Sequence, residues 1–154
     1  MKLSRRTDYG LRVLMTLAES YGDRPISMAH LARKNDVPRK FLHQIMSEMR
    51  VQGWVESTAG RNGGFVLAFP PDRLTMGQVV RYFEGNIDPV RCLSVAGHEP
   101  CSQAKFCRFR RILLEIRNFA AQHLDNATLA DVIGCDPVAD TEIFSLELCA
   151  GDGI

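Results

Sequence analysis

Between residues 92 and 107 the chain reads CLSVAGHEPCSQAKFC, which places three of its five cysteines within sixteen residues. This stretch limits the fold more than any other. It holds Gly97 and Pro100, shows neither helical nor strand periodicity, and has too few apolar side chains to form a core. The flanking segments must supply the packing, which leaves the loop free for chemistry. Soft thiolates select zinc, copper(I) or iron–sulfur clusters. Zinc sites are usually built on C-x(2–4)-C pairs, whereas the intervening gaps here are eight and five residues. Long gaps suit a larger object held by a wrapped loop, such as an iron–sulfur cluster. Buried free thiols and a disulfide are the two plainer readings.

At 154 residues and 45% hydrophobic content, the chain is about one domain long and can bury a real core. No apolar run approaches the roughly 18 residues that span a bilayer. The opening MKLSRRTD has a superficial twin-arginine look, but Asp8 and Arg12 interrupt any apolar signal region, so export is not expected. An odd cysteine count without a signal peptide points to a reducing cytoplasm. The net charge of +1 hides a segregated distribution. Residues 1–61 carry 11 Lys and Arg against 6 Asp and Glu, residues 62–120 carry 8 against 5, and residues 121–154 carry none against 7. A basic front and an acidic tail suit a polyanionic partner at the front, beside the plainer reading of a solvated surface.

Taken in order, residues 3–20 are predicted as a helix, with Tyr9, Val13, Leu14, Leu17 and Ala18 on one face and Ser4 or Thr7 as cap. Tyr21 to Pro25 ends it, and Ser27 caps a short second helix that buries Met28, Leu31 and Ala32. A break at Asn35–Pro38 leads into a third helix to about Gln52. It turns Phe41, Leu42, Ile45, Met46 and Met49 inward and Arg39, Lys40, His43, Gln44 and Ser47 outward. A short helix, a turn and a longer helix that opens on basic and polar residues form the helix-turn-helix pattern, whose second helix reads a major groove; a generic three-helix bundle would share it. Two short strands, 54–56 and 65–67, enclose STAGRNGG, a hairpin loop whose glycines and Asn62 supply positive φ and whose Arg61 is free to reach DNA. A hairpin directly after a helix-turn-helix is a wing. A packing helix follows at 75–83. The longest helix is expected at 104–124, with Phe109, Ile112, Leu113, Ile116, Phe119 and Ala120 on a stripe too long for a small domain to bury alone. A short helix at 128–133 and an acidic, partly mobile tail complete the chain. Cys135 and Cys149 read as incidental thiols there.

The chain resembles the family of dimeric winged-helix regulators that includes IscR, NsrR and RirA, and is most similar to the NsrR-like members. The resemblance rests on LSRRTDYGLRVLM at the front, GRNGGF in the wing, the three loop cysteines ahead of a long helix, and LDNATLADV near the end. It implies a mainly α fold, with a winged helix-turn-helix domain (1–72), a connecting helix and cysteine loop (73–103), a dimerisation helix with a short following helix (104–134), and a tail (135–154). It also implies that Cys92, Cys101 and Cys107 hold an iron–sulfur cluster, with 4Fe–4S favoured and 2Fe–2S the alternative. IscR-like members place a histidine ligand three residues past the last cysteine, where this chain has Arg110. NsrR-like members use an aspartate near the start of the first helix, donated by the partner subunit, and Asp8 stands in that place. His98 is a rival ligand. The first cysteine gap is eight residues where IscR and NsrR usually have five, and RirA-like gaps also run longer. The wing has Ala59 where many members place an arginine.

The expected function is a cytoplasmic homodimeric regulator, a repressor, that binds a double-stranded DNA operator through Arg39, Lys40, His43, Gln44, Arg61, Asn62 and Gly63. Nitric oxide at the cluster is the preferred signal, on the strength of Asp8 and Tyr9-Gly10; iron supply and oxygen or redox state are the alternatives. Lys105, Arg108, Arg110 and Arg111 flank the last cysteine, where they would favour thiolate and offset cluster charge; as a solvated helix face they would need no such role. No nucleotide-binding glycine loop, nucleophile elbow or acid–base pair suggests an enzyme. A small iron–sulfur redox protein would leave the wing and basic front unexplained. A metal-free thiol switch remains as the third class.

Overall fold

A computed structural model of the chain describes residues 2–60, 62–85, 88–95 and 97–144. Helix α1 (Arg5–Glu19) begins where the Ser4 side chain accepts from the Thr7 amide, and buries Val13, Leu14, Leu17 and Ala18. Helix α2 (Met28–Lys34) starts in the same way, with Ser27 accepting from the His30 amide. Helix α3 (Arg39–Val51) follows Pro38 and buries Leu42, Ile45, Met46 and Met49. The i, i+3, i+4, i+7 spacing of these four makes one stripe. Phe41, expected inward, is 55% exposed. It lies one position off that stripe, with its ring edge-on to Tyr9 at 6.4 Å.

The wing is the antiparallel pair β1 (Val55–Thr58) and β2 (Gly64–Leu67), with Val55 opposite Leu67 and Thr58 opposite Gly64. It is tied to the connection between α1 and α2: Ile26 and Phe65 exchange backbone hydrogen bonds, both of 2.9 Å. Gly64 is needed here because a Cβ would collide with the Ile26 carbonyl.

Helix α4 (Met76–Glu84) opens on a reciprocal cap between Thr75 and Gln78 and closes at Gly85 with φ 77°. Residues 101–107 then form turns, with Ala104 N–H donating to the Cys101 carbonyl and Cys107 N–H to that of Gln103. Helix α5 (Phe109–Asn126) therefore begins five residues later than expected, because the backbone near Cys107 is spent on those turns. Helix α6 (Leu129–Ile133) is capped by Thr128. A further helix, α7 (Asp140–Phe144), stands in the acidic tail where none was predicted; Cys149 lies outside the described residues.

The core gathers the inward faces of α1, α2 and α3 with Trp54, Val55 and Leu67 of the wing region, and adds Leu74, Val79 and Leu129 from further along. Backbone bonds Met76 N–H to Ala127 O (2.8 Å) and Leu129 N–H to Leu74 O (2.9 Å) close the far end onto this body. At the end of α2, the buried Thr16 hydroxyl donates to Asn35, whose amide donates to the Leu31 carbonyl. The polar groups there are thus paired rather than stranded. None of the described helices is long and apolar enough to cross a membrane.

Candidate functional site

Arg39, Lys40, His43, Gln44 and Ser47 are all exposed on α3. Positions i, i+1, i+4, i+5 and i+8 share one helix face, so the same stripe rule that buries Leu42 and Ile45 projects these side chains together. In the wing Asn62 is exposed and Gly63 half-buried, while Arg61 lies outside the described residues. A cleft between the wing tip and the turn before α2 is lined by Arg24, Pro25, Ser27, His30, Asn62 and Gly63. Arg24 and His30 were not singled out by sequence reasoning. The Ile26–Phe65 pairing brings them beside the wing, and that contact spans too many residues to show as local periodicity.

The second site is the cysteine loop. Cys92 sits in a short 3₁₀ turn, Arg91–Leu93, and together with Cys101 and Cys107 lines one cavity of about 760 Å³ that also takes in Arg91, Glu99, Phe106 and Arg110. All three cysteines are free thiols. His98 is exposed and does not line the cavity. Cys135 is exposed elsewhere, its thiol directed at the Asp131 carbonyl. The loop is braced across its own span by an Arg91–Glu99 ion pair and by Gly97 N–H donating to Ser94 Oγ at 2.9 Å. Helix α5 grips it from the other side. Arg110 Nη2 donates to the Cys92 carbonyl at 2.8 Å, and Arg117 donates to the Leu93 carbonyl. The Nε of Arg110 is buried and has no hydrogen-bond partner among the described residues.

Among the described residues, no three His, Cys, Asp or Glu side chains lie close enough together to hold one metal ion. Three thiols spread around one cavity, with a cationic donor left unmatched beside them, fit an anionic group several ångströms across better than a single ion. Such an iron–sulfur group would be held here by Cys92, Cys101 and Cys107.

Asp8 is not among the residues lining this cavity. It stands in the first turn of α1, half-buried, where Arg12 donates to its two oxygens at 2.9 Å (Nε) and 2.8 Å (Nη2). The turn that carries it is tied in two directions. Ser4 N–H (2.7 Å) and the Thr7 hydroxyl both donate to Glu84 at the end of α4. Arg6 pairs with Glu48 of α3 and lies 5.4 Å from the Phe83 ring centroid. Burial pushes the Glu84 carboxyl up, but the bonds from Thr7 and Ser4 outweigh it and hold the group below the usual glutamate range. One short segment thus touches both α3 and the helix that leads to the cysteines.

Helix α5 buries none of its residues. Phe109, Ile112, Ile116 and Phe119 stay 68%, 57%, 54% and 72% exposed.

A family model described as "Rrf2: Iron-dependent Transcriptional regulator" matches residues 3–134. The chain belongs to the Rrf2 family. It is 35% identical over 132 residues to the HTH-type transcriptional regulator CymR of Bacillus subtilis, covering 86% of this chain and 89% of that one. It is 34% identical over 133 residues to the regulator NsrR of Geobacillus kaustophilus, covering 86% and 90%. The solved structure of B. subtilis CymR, described as the global cysteine regulator, superposes with a TM-score of 0.73 at 34% identity, over 88% of this chain and 99% of that one. The IscR of T. potens, at 23% identity, shares the fold with a TM-score of 0.68 over 94% and 97%. The chain is a DNA-binding transcriptional regulator with the winged-helix architecture of the Rrf2 family, and the relatives it matches are transcriptional regulators rather than enzymes.

Proposed function

We propose that this Rrf2 regulator is a cytoplasmic homodimeric repressor that holds an iron–sulfur cluster at Cys92, Cys101 and Cys107 and binds its operator with that cluster intact. The observation that carries the reading is the meeting of three free thiols on one cavity within a chain whose front half is a winged helix. When bound, the cluster supplies iron open to attack by nitric oxide, the preferred signal, or by oxygen; iron supply is a further candidate. Asp8 of one subunit is the proposed fourth ligand for the cavity of the other, which requires the carboxylate to leave or share its present bond to Arg12.

In this reading the chain's own residues do the rest. Arg39, Lys40, His43 and Gln44 enter the major groove, and Arg61, Asn62 and Gly63 approach the backbone or minor groove. Helix α5 packs against its counterpart in the second subunit, which spaces two reading helices for a palindromic operator. The first turn of α1 links the two sites. A pull on Asp8 is transmitted through Arg6 to Glu48 on α3 and through Ser4 and Thr7 to Glu84 on α4. Coupling then works through a segment that both sites bias.

The test is an anaerobic titration of reconstituted protein with nitric oxide, following visible absorption and binding to its own promoter DNA together. Joint loss of the cluster band and of DNA affinity supports the reading. A band that survives nitric oxide but yields to a chelator or oxygen moves the signal to iron or redox state.

A second reading is a metal-free thiol switch. It is favoured by the likeness to CymR, described as a cysteine regulator, and by the four free thiols among the described residues. A protein that stays colourless after anaerobic reconstitution, while its DNA affinity follows thiol oxidation, would establish this reading over the first.

A further inference from the structure

The thiol cavity contains one group that the protein leaves unmatched. Arg110 lines it beside Cys92, Cys101 and Cys107. One end of its guanidinium is fixed by the 2.8 Å bond from Nη2 to the Cys92 carbonyl. Its Nε–H is buried with no acceptor among the described residues. A buried donor of this kind is rare and calls for an explanation. Arg91, the other cation of the cavity wall, is already paired with Glu99, whereas Arg110 has no carboxylate partner among the described residues. Guanidinium has five donors and no acceptor and stays protonated, so it cannot ligate a metal. It can neutralise and hydrogen-bond an anionic sulfur group, and its planar fork holds two directions at once.

We propose that Arg110 is the outer-sphere donor of this cavity: Nη2 fixes the Cys92 turn while Nε–H is completed by a sulfur of the cysteine-held group. The assignment rests on the cluster reading above. It deepens that reading by giving the last-cysteine-plus-three position a supporting role rather than a ligating one. A donor that positions a ligand loop and offsets cluster charge retains the metal and raises the potential at which the cluster accepts an electron.

The experiment compares wild type, R110K and R110Q after identical anaerobic reconstitution. Iron and sulfide content, the rate of iron loss to a ferrous chelator, the cluster's midpoint potential and the melting temperature of the metal-free protein are measured for each. The expected result is that wild type loads fully and R110Q loses iron faster by roughly tenfold or more, with a more negative potential. R110K keeps the charge but not the fork, so its potential should stay near wild type while its iron loss is accelerated. Both variants lose the tie to the Cys92 carbonyl, so their metal-free melting temperatures should fall together, and a potential that drops in R110Q but not in R110K is a change that a purely structural tie would not produce. If R110Q is itself unstable, R110K carries the comparison through its retention rate. Unchanged retention and potential in both variants of a wild type that loads would overturn the role of Arg110 alone. A wild type that takes up no iron or sulfide would overturn the cluster reading beneath it.

Discussion

The carboxylate of Glu84 accepts from Ser4 N–H and the Thr7 hydroxyl, so one side chain at the end of α4 holds the first turn of α1 in place. Because its folded-state pKa is lowered, the stability it contributes is present above the ordinary glutamate value and is lost as pH falls through the lower, folded value. Thermal melts of wild type should therefore fall, once the pH drops below the ordinary glutamate range, more steeply than those of Glu84→Gln, in which that ionisation is absent. Parallel pH profiles for the two proteins would show that the anchor does not depend on the charge. Asp8 was visible in the sequence as an acidic residue in a first turn. Its bond to Arg12 is an i, i+4 pair and was legible in principle. The link from Thr7 to Glu84 spans 77 residues, and no periodicity announces a contact of that kind.

The elements themselves were largely legible, because α1, α2, α3 and α4 carry strong apolar stripes and side-chain caps at Ser4, Ser27 and Thr75. Phe41 was misplaced because an apolar residue at the margin of a stripe looks inward by composition, while its position sends it toward solvent beside Tyr9. The start of α5 was misplaced because Ala104, Lys105 and Phe106 suit a helix, yet the turns that bring Cys101 and Cys107 to one cavity take up their backbone. Helix α3 presents a row of exposed basic and polar side chains. Arg39→Ala and Lys40→Ala should each weaken operator binding and, where the contact is to phosphate, reduce the slope of log affinity against log salt by about one. Binding measured across a salt series separates this from a loss of base reading. Unaltered affinity and slope in both variants would remove α3 from the interface.

At the scale of the whole molecule, the stripe on α5 stands uncovered. Covering an aromatic or branched aliphatic side chain contributes roughly 1.5–3 kcal/mol, and Phe109, Ile112, Ile116 and Phe119 all wait for cover. Ile116→Asp with Phe119→Asp should shift the protein to monomers in sedimentation and lower operator affinity, while leaving the helical signal of the monomer near wild type. A double variant that sediments as wild type would mean that this face is not where two copies meet.

Leu129 is fully buried although the helix that bears it has five residues, and its amide is bonded to the Leu74 carbonyl back at the entrance to α4. The chain thus runs out through the cysteine loop and along α5, then returns to place one side chain in the core of the part that reads DNA. Leu129→Ala should cost about 2–5 kcal/mol, and it should lower the single melting transition of the whole protein rather than detach its far end. The winged helix is for the same reason a poor candidate for transplantation. Cut free at residue 72, it would leave behind Leu74, Val79 and Leu129 and with them part of its own interior. The winged helix and the piece that carries the thiols are joined as the halves of a clasp are, through one interior to which both contribute.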